Sequence, residues 1–209
     1  MIVGITQRVD KIESYNEIRD ALDQRLVDWI LKAGFIPVLI PNRLANLNNL
    51  EIEQSIIFKW LKIMRIDVIL LSGGNDIGKE PQRDLLERSL LYWAEKKKKP
   101  VLGICRGMQM MGVYFGSKLI DVKGHVGTKH KLRMNSMNRN IYPTEVNSFH
   151  NQAIKDCPNE FKVIAKANDG NIEAIIHKKL PWEGWMWHPE RENKFNSYSI
   201  DRIKQLFNV

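Results

Sequence analysis

The sequence predicts an α/β fold in which a mostly parallel central sheet is flanked by helices on both faces, with a smaller antiparallel strand region. Three observations carry this. Through the first 115 residues, short β-branched or apolar runs alternate with longer helical ones, the pattern of helices covering a parallel sheet. Runs such as Val68-Ile69-Leu70-Leu71 are apolar at every position, which fits a strand buried on both faces. From 117 to 180 the runs shorten and polar turns appear, as antiparallel strands and loops require.

Residues 2–6 (IVGIT) read as the first strand. Residues 17–33 read as a helix with Ile18, Leu22, Leu26, Trp29 and Ile30 on one face, and Gly34 suits its C-terminus. Strand 35–40, helix 51–64, strand 67–71, a helix over 82–98 and strand 100–104 complete the order βαβαβαβ, and a helix over 106–115 follows. Asn168-Asp169-Gly170-Asn171 marks a turn in the antiparallel region. Residues 184–187 form a last short strand and 199–207 a final helix. No linker separates independent units, so residues 1–209 are expected to form one domain.

Composition sets the class. Apolar residues make up 44% and charged residues 27%, ordinary globular usage that argues against disorder. No apolar run reaches the ~20 residues of a bilayer crossing, and MIVGITQR lacks the charged start and apolar core of a signal peptide. Two cysteines, Cys105 and Cys157, are too few for a disulfide framework, and their surroundings do not match metal-ligand spacing. A soluble protein of the reducing cytoplasm is expected, with no membrane partner. The net charge of +8 favours an anionic partner through long-range attraction. The one dense basic run, Lys96 to Lys99, reads as a solvated helix end rather than a nucleic-acid patch.

The segment Gly103-Ile104-Cys105-Arg106-Gly107-Met108-Gln109 follows an apolar strand and opens a helix, the cysteine form of the G-x-S-x-G elbow. Such a turn holds its nucleophile strained and projecting, and the flanking glycines let strand and helix pack closely. Unpaired N–H groups at the helix start favour a thiolate there. A nucleophilic thiol needs a base, and the base an orienting partner. Trp187-His188-Pro189-Glu190 supplies both on a short stiff arm. His125, His130, His150 and His177 lack that arrangement and read as structural or substrate-facing. Ser72-Gly73-Gly74-Asn75-Asp76 ends the third strand, where ligands gather in open α/β sheets, and the Gly74 and Arg106 amides together read as an oxyanion hole.

These segments together resemble the class I glutamine amidotransferases, and more closely the stand-alone γ-glutamyl hydrolases grouped with them as peptidase C26-like proteins. SGGND at 72–76, GICRGMQ at 103–109, VNSFHNQ at 146–152 and MWHPERE at 186–192 carry the match in the family's order. The resemblance implies the flavodoxin-like fold of that family. It implies Cys105 as nucleophile, His188 as base, Glu190 as orienting acid, and Gly74 with Arg106 as oxyanion donors. It places Gly73, Gln109 and the stretch Asn147, Ser148, Phe149 and His150 around the glutamyl group. No metal or organic cofactor is implied.

The N-terminal GITQR and SYNE segments, taken with EREN at 190–193, resemble a bacterial branch associated with surface-polysaccharide genes, which implies γ-glutamyl-CDP-amidate as substrate. Arg8, Arg19, Arg106 and Arg191 are then candidates for the phosphates, because guanidinium groups match phosphate oxygens. The alternatives are a glutaminase subunit feeding a separate synthase, a hydrolase of another γ-glutamyl amine, a peptidase of poly-γ-glutamate, and an inactive binding protein on the same fold.

Overall fold

The computed structural model describes residues 1–45 and 50–208. β1 (Ile2–Thr6) enters the centre of the sheet. The predicted helix over 17–33 is half wrong: β2 (Arg8–Ile12) and β3 (Glu17–Ala21) pair as an antiparallel hairpin, and α1 spans only Gln24–Lys32. Asn16 turns the chain at the hairpin with a left-handed φ of 49°, and Asp23 caps α1 by accepting a hydrogen bond from the Arg25 amide at 3.0 Å. Ile18, read as part of the helix's buried face, is 71% exposed on β3. Leu26, Trp29 and Ile30 are the true buried stripe of α1, and Gly34 ends the helix at φ +89°.

β4 (Ile36–Ile40), α2 (Leu50–Ile63), β5 (Val68–Leu71), α3 (Pro81–Lys97), β6 (Val101–Ile104) and α4 (Arg106–Tyr114) follow as the sequence predicts. Lys96 and Lys97 close α3, exposed at its C-terminus, and Lys98 caps it in the left-handed region. The antiparallel region holds β7 (Leu119–Asp121), β8 (Val126–Lys131), β9 (Glu145–Phe149), β10 (Gln152–Ile154), β11 (Phe161–Lys166) and β12 (Ile172–His177). The predicted turn at 168–171 joins β11 to β12, with Gly170 at φ +95°. β13 spans Trp182–Trp185, two residues earlier than predicted, because Gly184 must lie beside Gly103 where α4 crosses. A Cβ on Gly184 would stand 2.7 Å from Met108 Cγ. Asn196 caps the last helix, α5 (Ser197–Phe207), two residues ahead of the expected start.

Seven strands form the central sheet in the order β11-β12-β13-β6-β5-β1-β4. The pairs from β13 through β4 are parallel, whereas β11 and β12 add antiparallel. Alternation along the strands splits the core into two layers. Val68 and Leu70 face the side covered by Trp29 of α1 and Ile203 and Phe207 of α5. Ile69 and Leu71 face Leu61 of α2, Leu86 and Leu90 of α3, and Met108 of α4. A strand with large apolar side chains on both faces needs helices on both faces. β13, β6, β5 and β1 therefore run side by side, and their C-terminal ends lead into one cleft.

Candidate active site

The turn from β6 into α4 is strained as the glycine spacing predicts. Cys105 has φ 51° and ψ −106°, a conformation that costs a side-chain-bearing residue on the order of 1–3 kcal/mol. Its amide donates to the Trp185 carbonyl at 2.6 Å, which locks the turn against β13. The glycines on either side are sterically required. A Cβ on Gly107 would meet the Leu71 carbonyl oxygen at 2.1 Å, and one on Gly103 would meet Gly107 backbone at 2.6 Å. Arg106 opens α4, so its amide is one the helix does not use.

His188 follows β13 and is buried, 2% exposed. Its Nδ1 lies 2.7 Å from Glu190 Oε1. Asn147 of β9 clasps its backbone from both sides, donating to the His188 carbonyl at 2.8 Å and accepting from the His188 amide at 2.9 Å. The Phe149 ring packs edge-on to the imidazole at 5.9 Å. Burial pulls the imidazole's proton affinity down, but the Glu190 carboxylate and the neighbouring Cys105 thiol outweigh it and raise the pKa to about 9.

The loop after β5 closes the other side of the cleft. A Cβ on Gly73 would stand 2.7 Å from His188 Cε1, so the imidazole lies directly on this backbone. Gly74 has φ +119°. Arg83 of α3 holds the loop, donating to the Ser72 and Gly73 carbonyls at 2.8 and 2.9 Å. Ser72 in turn bonds Thr6 at the end of β1 through its amide and its hydroxyl.

Arg83 belongs to a buried ion network that the sequence reading missed. Its Nε pairs with Glu87 at 3.0 Å, Thr6 Oγ1 donates to the same carboxylate at 2.9 Å, and Arg106 pairs with both Glu87 and Asp84. Burial pushes the Glu87 carboxyl up, but Arg106 and Arg83 more than offset this and hold it below the usual carboxylate range. Arg106 as a phosphate ligand is therefore corrected: its guanidinium is turned away and committed to carboxylates, leaving only its amide for the cleft. Arg19, paired with Glu17 at 2.6 Å, is not among the residues that line the cleft. The Arg83–Glu87 spacing of four residues, flanked by buried Leu86 and Leu90, was the available signal, and it resembles an ordinary surface pair.

Arg8 and Arg191 do line the cleft. A cavity of about 230 Å³ runs beside Gly73, Gly74 and His188, with Asp10 and Asp23 also on its wall. Arg191 stacks over Phe149 with its Cζ 4.8 Å from the ring centre. The remaining sequence candidates divide by strand alternation. Asn147 and Phe149 face His188, whereas Ser148 and His150 point to the opposite side of β9, toward His125 and Glu173. Gln109 is buried, its amide donating to the Gln152 carbonyl at 2.8 Å.

The peptidase C26 family profile matches residues 1–190, covering the elbow, the glycine loop and the His188–Glu190 arm. The chain belongs to the peptidase C26 family. It is similar to the γ-glutamyl-CDP-amidate hydrolase of Campylobacter jejuni, 35% identical over all of this chain and 98% of that one. The γ-glutamyl-γ-aminobutyrate hydrolase of Escherichia coli K12 is 23% identical over 97% of this chain and 89% of its own length. Among solved structures, a glutamine amidotransferase from Thermotoga maritima superposes with a TM-score of 0.63 over 98% of this chain and 82% of its own, at 17% identity, so the peptidase C26 chain shares that fold.

Proposed function

We propose that this chain is a cysteine hydrolase that cleaves a γ-glutamyl amide and releases L-glutamate, with γ-glutamyl-CDP-amidate as its substrate. The observation that carries the chemistry is the buried His188–Glu190 pair at 2.7 Å, set against Gly73 and beside the strained Cys105 elbow. His188 takes the Cys105 thiol proton as Sγ attacks the γ-carbonyl, and the oxyanion that forms is met by the amides of Gly74 and Arg106. The His188 imidazolium passes its proton to the departing nitrogen, leaving a γ-glutamyl thioester. A water molecule then adds to the thioester as His188 takes its proton, and glutamate leaves with the thiol restored. One domain carries every step, in the cytoplasm.

The substrate reading rests on the 35% identity to the Campylobacter jejuni enzyme and on Arg8 and Arg191 beside the cavity, where a diphosphate can be paired. The Escherichia coli relative favours a second reading, a γ-glutamyl-γ-aminobutyrate hydrolase. A glutamate-release assay on the purified protein separates them. γ-Glutamyl-CDP-amidate, γ-glutamyl-γ-aminobutyrate and free glutamine are compared side by side, with Cys105→Ala as blank. The nucleotide is expected to be preferred; preference for either other substrate overturns the assignment of the leaving group. Release that persists in Cys105→Ala overturns the nucleophile.

A further inference from the structure

On the far side of β9 from the cleft, three imidazoles gather round one carboxylate. Glu173 of β12 is fully buried, and neither of its oxygens has a hydrogen-bond partner among the described residues. Its Oε1 lies 3.5 Å from His125 Nδ1, 3.2 Å from His130 Nε2 and 3.5 Å from His150 Nε2. A buried anion is costly unless a cation shares its site.

The protons of two of these rings are fixed from behind. His125 Nε2 lies 2.7 Å from Asp169 Oδ2, and His150 Nδ1 lies 3.0 Å from the Gln152 carbonyl. Both partners only accept, so each of those nitrogens carries a hydrogen. In a neutral ring the opposite nitrogen, His125 Nδ1 or His150 Nε2, is then a bare lone pair, and both are turned toward Glu173. Ser148 brings no relief, because its hydroxyl donates to the His125 carbonyl at 2.7 Å. Lone pairs facing a buried carboxylate repel, and a shared cation converts that repulsion into binding.

The carboxylate-to-imidazole distances of 3.5 Å approach the spacing such a cation needs. Nitrogen and oxygen ligands held about 2.0–2.1 Å from a tetrahedral metal stand roughly 3.3 Å from one another. The ligand atoms of His125, His150 and Glu173 all lie within 4.8 Å of one another. A carboxylate behind one ligating histidine and a backbone carbonyl behind the other is how metal-bound imidazoles are oriented.

We propose that His125 Nδ1, His150 Nε2 and the Glu173 carboxylate bind a divalent first-row transition cation, zinc in the first place. Nitrogen and carboxylate donors of this kind suit zinc rather than calcium or magnesium. The ion is structural. It ties the start of β8, the end of β9 and β12 together beneath the His188 arm, since β9 carries Asn147 on its opposite face and the Met186 amide donates to the Glu173 carbonyl at 2.8 Å.

The test uses Cys105→Ala protein, so that the cleft thiol offers no competing site. After chelator treatment it is titrated with Co²⁺ at pH 7.5. One Co²⁺ per chain is expected, with visible ligand-field bands, no sulfur charge-transfer band, and displacement by Zn²⁺. Glu173→Gln and His150→Gln should each abolish stoichiometric uptake, and Asp169→Asn should weaken it about 10–100-fold. Absence of uptake, as expected if protonated rings supply the charge instead, overturns the proposal, as does uptake unchanged in both ligand variants. Should those variants fail to fold, X-ray absorption on zinc-loaded Cys105→Ala decides: an imidazole and oxygen shell supports the site, and a sulfur or all-oxygen shell refutes it.

Discussion

Asn147 and His188 exchange hydrogen bonds in both directions, side chain to backbone, at 2.8 and 2.9 Å. A strand in the antiparallel region thereby fixes the height and direction of an imidazole that belongs to the central sheet. The same Asn147 amide reaches Glu192 Oε1 at 2.7 Å, so the whole arm from 188 to 192 is tied to β9.

Asn147→Ala leaves the buried His188 amide without a partner, while the His188 carbonyl keeps the Arg191 amide at 3.1 Å. An orphaned group costs about 1–3 kcal/mol, so a loss of about 1–3 kcal/mol in unfolding free energy is expected by urea denaturation. If the clasp positions the imidazole, kcat should fall under conditions where the variant remains folded. A folded variant with wild-type kcat would show that the Glu190 bond alone orients the ring.

Gly73 and Gly34 separate two uses of glycine. At Gly73 a Cβ meets His188 Cε1 at 2.7 Å, so Gly73→Ala must displace the ring, and a shift of about 1 Å can cost about 10²-fold in rate. At Gly34 nothing lies within 4 Å, but φ is +89°, so Gly34→Ala should cost about 1 kcal/mol of stability and leave turnover intact. Steady-state kinetics and thermal unfolding on the pair check this; equal activity in the two variants would argue against contact between His188 and the glycine loop.

The parts legible in the sequence were those whose cause is local. The elbow was readable because Gly103 and Gly107 are dictated by backbone contacts within a few residues of Cys105 and with the adjoining strand. The hairpin of β2 and β3 was not, because Ile18, Leu22 and Leu26 fall four apart and imitate a helix stripe, while the deciding residues, Asn16 in the left-handed region and Asp23 as cap, are single polar residues. Arg106 was misread for another reason. Its place beside Cys105 suggested a substrate contact, but α4 turns its side chain toward Glu87 of α3, and that contact exists only once the two helices pack. The family resemblance put the whole stretch from Asn147 to His150 around the glutamyl group, and strand alternation sends Ser148 and His150 to the face opposite Asn147.

Glu87 carries the charge balance of the buried network, because Arg83 and Arg106 both depend on it. Removing one partner of a buried ion pair costs about 3–5 kcal/mol, as the other is left charged in a dry site. Glu87→Ala is therefore expected to unfold at much lower denaturant than wild type. Arg19→Ala, which breaks only an exposed pair, should leave the midpoint where it was. A mild effect at Glu87 would mean that Asp84 alone can neutralise Arg106.

The His188 imidazole, raised to about 9 in the folded chain, lies well above the 6.5 of an unperturbed ring. The stabilisation this proton contributes is then present in full below pH ~6.5 and is lost as pH rises through 9. Glu190 is the largest influence raising it, so Glu190→Gln should let the ring titrate at clearly lower pH. Histidine-selective NMR across pH 5 to 10 follows the ring directly, with His188→Asn assigning its resonance. In parallel, the stability difference between wild type and Glu190→Gln should shrink between pH 6.5 and 9, because the charged pair that distinguishes them is being discharged. A ring that titrates at the same pH in both proteins would mean that the carboxylate orients His188 without holding its proton, and the acid that protonates the leaving nitrogen would have to be sought elsewhere.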